Sequence, residues 1–90
     1  MLKDDIKLFM GINNTGFDDI ISNFIDSAKS DMQSQGIPAD LIVESDRLIY
    51  SAIFSYVMGE LNEANAEMYK DAYRIKLDQI RKNISYMEVV

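Results

Sequence analysis

Three pairs of acids stand close enough in the chain to be drawn as a general acid and its base: Asp4–Asp5, Asp18–Asp19 and Asp40 with Glu44. Each lies at an expected helix start, where the helix dipole and the unpaired backbone N–H groups already favour carboxylates. Serines are plentiful, but the chain has no histidine, so the usual base that activates a serine is missing. A Ser–Lys arrangement finds no supporting motif. Cysteine is absent too, which removes thiolate nucleophiles, thiolate metal ligands and disulfides. The Glu-x-x-His pair of di-iron bundles cannot be written without histidine, and neither acid cluster has the spacing of a calcium loop. Neither GxxxxGK[ST] nor GxGxxG occurs. The expectation is a non-enzyme with no cofactor and no metal.

What remains is a question of surfaces. Ninety residues are enough for one domain, 1–90, and for one small core. Apolar residues make up 48% and charged residues 27%, which is a globular balance, and one proline with four glycines leaves few breaks in helix. The first ten residues, MLKDDIKLFM, mix acids with lysines and do not read as a signal peptide. No segment reaches the roughly 20 apolar residues that span a bilayer. A soluble protein made in a reducing cytoplasm is expected, with no membrane partner.

Charge is unevenly spread. Residues 1–68 carry twelve acids and four bases, whereas residues 69–90 carry three acids and five bases. A solvated mixed-charge helix is the preferred account of the basic end; contact with the acidic body of a neighbouring copy is the sharper alternative. A net charge of −6 argues against tight nucleic-acid binding, which needs several bases on one face.

Apolar spacing predicts four helices. Leu2, Ile6 and Phe9 fall at i, i+4, i+7 on a short first helix that Gly11 and NNTG stop. Residues 17–32 form the second, with Phe17, Ile20, Ile21, Phe24, Ile25, Ala28 and Met32 on one face. Thr15 is its expected N-cap, with Asp18 three residues on, and Gly36 ends it. IPADLIVE is a loop or a helical turn begun by Pro38. Ser45 is the expected N-cap of a third helix over 46–61. A fourth, over about 64–83, turns Ala66, Tyr69, Tyr73, Leu77, Ile80 and Ile84 inward, with Arg74–Asp78 and Asp78–Lys82 as i, i+4 pairs. The tail ISYMEVV, 84–90, reads as extended. The fold class is therefore all-α: a small bundle of about four helices, a central buried third helix and an extended C-terminal tail.

The third helix is unusual. In LIYSAIFSYVMGEL, residues 48–61, ten of fourteen residues are apolar and they go nearly all the way round. Ser51, Ser55 and Gly59 recur at i, i+4, i+8 and allow another helix to come close. Three short neighbours are not expected to cover every side, so part of this surface is assigned to another chain. Helix four carries a second apolar stripe, Met68, Ala72 and Ile75, more than 90° from the first, which means deep burial or a partner.

This pattern resembles the small phage head–tail connector proteins, also called head-completion or DNA-packaging adaptors. The resemblance covers about residues 2–83. It rests on Asp18-Asp19 followed by Ile20-Ile21, Ala28 and Gly36, then Asp46 leading to Ala52-Ile53 and Tyr56. One departure is that the aromatic-plus-Arg stretch common after the third helix in that family is here VMGELNEANA, with no Arg. The resemblance implies a structural protein of the virion. Such a subunit assembles as a ring, twelve-fold to match the portal, at the head–tail junction. Its partners are further copies of itself, the portal protein, and a tail or stopper protein. DNA passes through without specific binding, and the host cytoplasm is the site of assembly. Expected interface residues are Met68, Ala72, Arg74 and Ile75 on helix four and Tyr86, Met87, Val89 and Val90 in the tail, which would dock on a neighbour, for instance as an added strand. The alternative is a small helical regulatory or adaptor protein that binds a single partner helix in a groove.

Overall fold

The computed structural model describes the backbone of residues 2–89 and the side chains of residues 2–85. Four helices appear: α1, Leu2–Met10; α2, Asp18–Ser34; α3, Arg47–Leu61; and α4, Ala66–Val89. Short 3-10 turns, Ala39–Leu41 and Glu63–Asn65, lead into α3 and α4, and no strand occurs among the described residues.

Two glycines end the first two helices by the same device. Gly11 has φ +72° and Gly36 φ +97°, the left-handed region that a side chain resists. After α1, Ile12 N–H donates to Lys7 O at 2.9 Å and Gly11 N–H to Leu8 O at 3.2 Å. After α2, Ile37 N–H donates to Met32 O and Gly36 N–H to Gln33 O, both at 3.1 Å. Each is a Schellman closure, and the second is completed by apolar contact, because Ile37 and Met32 are both core residues.

The observed caps lie two positions after the expected Thr15 at α2 and one after the expected Ser45 at α3. Phe17 precedes α2 and makes no side-chain cap; the Asp18 N–H bonds the Thr15 carbonyl instead, and the Asp18 carboxylate is drawn away by Lys7. Asn14 Oδ1 closes the preceding turn by accepting from the Gly16 N–H at 2.9 Å. At α3 the cap is Asp46 rather than Ser45: its Oδ1 accepts from Leu48 N–H at 2.9 Å and Ile49 N–H at 3.1 Å. One carboxylate oxygen thus satisfies two of the helix's open donors.

The core is a single cluster around α3. Leu2 and Ile6 of α1, Ile21, Ile25, Ala28 and Met32 of α2, and Leu77 and Ile80 of α4 surround Ile49, Ala52, Ile53, Val57 and Met58. Helical spacing accounts for all of these positions. Phe9, Phe17 and Ile20 depart from their expected stripes and lie exposed. The apolar surplus of α3 is covered within the chain, since no apolar residue of α3 is exposed. Its largest packing partner is α4, which comes near at Gly59. A Cβ on Gly59 would lie 3.3 Å from Lys70 Cγ and 3.7 Å from both Lys70 N and Tyr69 Cβ.

The C-terminal segment is the main correction to the expected architecture. Residues 84–89 continue α4 as helix rather than extending away. Propensity explains this: once a helix is running, each added residue gains a hydrogen bond, while β-branched residues cost only ~0.5 kcal/mol each. At 24 residues α4 outruns the body, and the molecule measures 47 × 25 × 19 Å.

Candidate interaction surface

One acid of each pair weighed for chemistry is occupied with joining segments of the fold. Asp5 accepts a hydrogen bond from the Tyr50 hydroxyl of α3. Asp18 Oδ1 lies 2.7 Å from Lys7 Nζ, which ties the end of α1 to the start of α2. The Lys7 hydrogen bond holds the Asp18 carboxyl below its ordinary value of 3.8. Glu44 accepts from the Leu2 N–H at 3.3 Å and sits 3.6 Å from Lys29 Nζ. Among the described residues, no group of three or more acids is placed to hold a metal ion. No helix there is long and apolar enough to cross a membrane.

A groove of about 490 Å³ lies between the end of α2, α3 and the middle of α4. Its floor is a tyrosine pair, Tyr56 and Tyr73, with ring centroids 5.2 Å apart and planes at 74°. The Tyr73 hydroxyl donates to Asp31 Oδ2 at 2.6 Å, and Arg81 Nη1 donates to Gln35 Oε1 at 3.4 Å. Burial, then the Asp31 hydrogen bond, pushes the Tyr73 phenol well above its ordinary range. Burial and Glu60 push Tyr56 in the same direction. The ring contact joins α3 to α4, and the Tyr73–Asp31 hydrogen bond joins α4 to α2.

Exposed apolar side chains form the more distinctive feature. On α4, Met68 is 57% exposed and Ile75 60% exposed, with Ala72 half-buried between them. The second stripe foreseen for this helix therefore faces outward. Arg74 beside it is exposed and pairs with Asp71 at 3.3 Å, while Arg81 pairs with Asp78 at 2.8 Å. These i, i+3 pairs replace the i, i+4 pairs expected from spacing. Tyr86, Met87 and Val89 fall on α4, but their side chains, and all of Val90, lie outside the described residues. Helical backbone there leaves no strand to add to a neighbour's edge.

Further exposed apolar side chains, absent from the expected interface, flank the turn between α1 and α2. Leu8 is 81% exposed and Phe9 61%, with Phe17 and Ile20 exposed nearby in the chain. Phe9 leans edge-on against Phe54 of α3, centroids 5.4 Å apart at 84°. A signal was available: Leu8-Phe9 and Ile20-Ile21 are adjacent apolar pairs, about 100° apart on a helix, which widens the apolar surface beyond a single stripe.

No family model, no curated protein and no solved structure matches this chain.

Proposed function

We propose that the chain is a structural, non-catalytic subunit of a phage head–tail connector, forming a ring below the portal that extends the DNA channel and joins capsid to tail. The observation that carries this reading is the pair of separate apolar surfaces, one on α4 and one at the α1–α2 corner. Contacts between unlike patches run head to tail and close into a ring when the rotation allows. The acidic body supports the same role, because DNA must slide through a conduit without sticking. Light scattering coupled to gel filtration over a concentration series tests the reading. A discrete species of about twelve subunits, the number a portal-matched ring requires, is the supporting result.

A second reading has one observation in its favour. Leu41, Val43, Leu48, Ile49, Ile80 and Ile84 line an apolar pocket of about 210 Å³ between the Ala39–Leu41 turn and the later part of α4. A small adaptor that grips a partner helix would use such a pocket for an anchoring side chain. A chain that stays monomeric at every concentration favours this alternative.

A further inference from the structure

We infer that the α1–α2 corner of one copy is the seat for the outer face of α4 of the next, with Leu8, Phe9, Phe17 and Ile20 receiving Met68, Ala72 and Ile75. The inference rests on the ring reading for its premise that copies associate. What it adds is which surface meets which.

Three observations select this occupant. Both patches are exposed within one chain, so neither covers the other in the monomer. Each presents more than one large apolar side chain, whereas exposed Val43 stands apart from both in the loop before α3. Their charges are opposite. Residues 3–20, which carry the corner, hold four acids (Asp4, Asp5, Asp18 and Asp19) against two bases, Lys3 and Lys7. Residues 68–82, which carry the α4 stripe, hold five bases (Lys70, Arg74, Lys76, Arg81 and Lys82) against two acids, Asp71 and Asp78.

The placement of those charges matters more than their number. Lys7 is occupied by Asp18, and Asp71 and Asp78 of α4 are occupied by Arg74 and Arg81. Asp19, beside Ile20, forms no ion pair among the described residues, nor do Lys76, beside Ile75, and Lys82, two turns along the same face. Corner against corner would set acid against acid, and α4 against α4 would set lysine against lysine. Corner against α4 lets apolar meet apolar inside a rim of opposite charge, the arrangement that fixes orientation and rejects like pairing.

The chain has no cysteine, so introduced thiols report position directly. Leu8→Cys, Ile20→Cys, Met68→Cys and Ile75→Cys replace exposed side chains and leave the core untouched. Each is oxidised alone and in pairwise mixtures, with Ser30→Cys, exposed on α2, as the collision control. A corner variant mixed with an α4 variant is expected to cross-link about tenfold more than either does alone, because docking raises the effective thiol concentration. Preferential pairing of Ile75→Cys with itself, or of Leu8→Cys with itself, overturns the inference. So does cross-linking no better than the Ser30→Cys control. The ring reading fails separately: the expected cross-links on an open ladder of sizes keep this contact and reject the closed ring, whereas a closed species with other cross-links does the reverse.

Discussion

Lys7 Nζ meets Asp18 Oδ1 at 2.7 Å across the NNTG turn, joining the end of α1 to the start of α2. Asp18 was open to use as a helix cap, but the ammonium of the preceding helix holds it instead. The corner patch depends on that choice, because Leu8-Phe9 and Phe17–Ile20 flank the pair on either side.

Acid should loosen this corner. The Asp18 carboxyl is held below 3.8 in the folded chain, so its contribution is present above that value. It is lost as pH falls through the lower folded value. Denaturation midpoints of wild type and Asp18→Asn should therefore differ at neutral pH, begin to approach each other near pH 3.8 and converge as pH falls through the lower folded value. Equal midpoints at neutral pH would mean that the contact does not hold the corner.

Alkali should act at the opposite end of α2. Tyr73 ionises above its ordinary value of 10.0 when folded, so the stability it adds is intact below pH 10 and declines as pH rises beyond it. In a titration followed by phenolate absorbance, Tyr73 is expected among the last to ionise, with Tyr50 pushed up to about 12 by burial and by Asp5. Tyr73→Phe should delete a late phase and cost roughly 1 kcal/mol at neutral pH through loss of the Asp31 hydrogen bond. Retention of every late phase in that variant would place the shifted phenol elsewhere.

The close approach of α4 to Gly59 gives a steric test. With Lys70 Cγ only 3.3 Å from a would-be Cβ, Gly59→Leu must push α4 outward, at a cost of about 1–3 kcal/mol. Unchanged thermal stability would show that α4 does not rest on Gly59.

Adjacent residues Ser45 and Asp46 offer a clean comparison of caps. Asp46→Ala should lose about 1 kcal/mol, since its carboxylate serves two backbone donors. Ser45→Ala should fall within about 0.5 kcal/mol of wild type. Chemical denaturation of the two variants decides between them.

How far the sequence was legible follows from what each feature depends on. Burial of Ile21, Ile25, Ala28 and Met32, or of Leu77 and Ile80, needs only helical spacing and one core, and spacing is written in the chain. The four-helix architecture with α3 at its centre was readable on the same ground. The caps were harder, because Ser45 and Asp46 are both competent and a single residue of register separates them. That no apolar residue of α3 lies exposed was not foreseen, since it depends on how closely Gly59 admits α4. The corner patch was missed because Phe9, Phe17 and Ile20 fit helical stripes; only the packed arrangement shows that Leu2, Ile6 and Ile21 fill the core first. The helical run through 84–89 was hidden by β-branched residues whose preference is weaker than the helix they extend.

The central claim is head-to-tail contact between unlike patches, and mixing two disabled chains tests it most directly. Leu8→Asp removes the receiving corner and keeps α4; Ile75→Asp removes the α4 face and keeps the corner. Both positions are exposed, so far-UV circular dichroism should match wild type in each. Light scattering should find each variant monomeric alone. An equimolar mixture should give a dimer and nothing larger, because a single working contact remains. A mixture that stays monomeric, or either variant assembling as wild type does, would contradict the account.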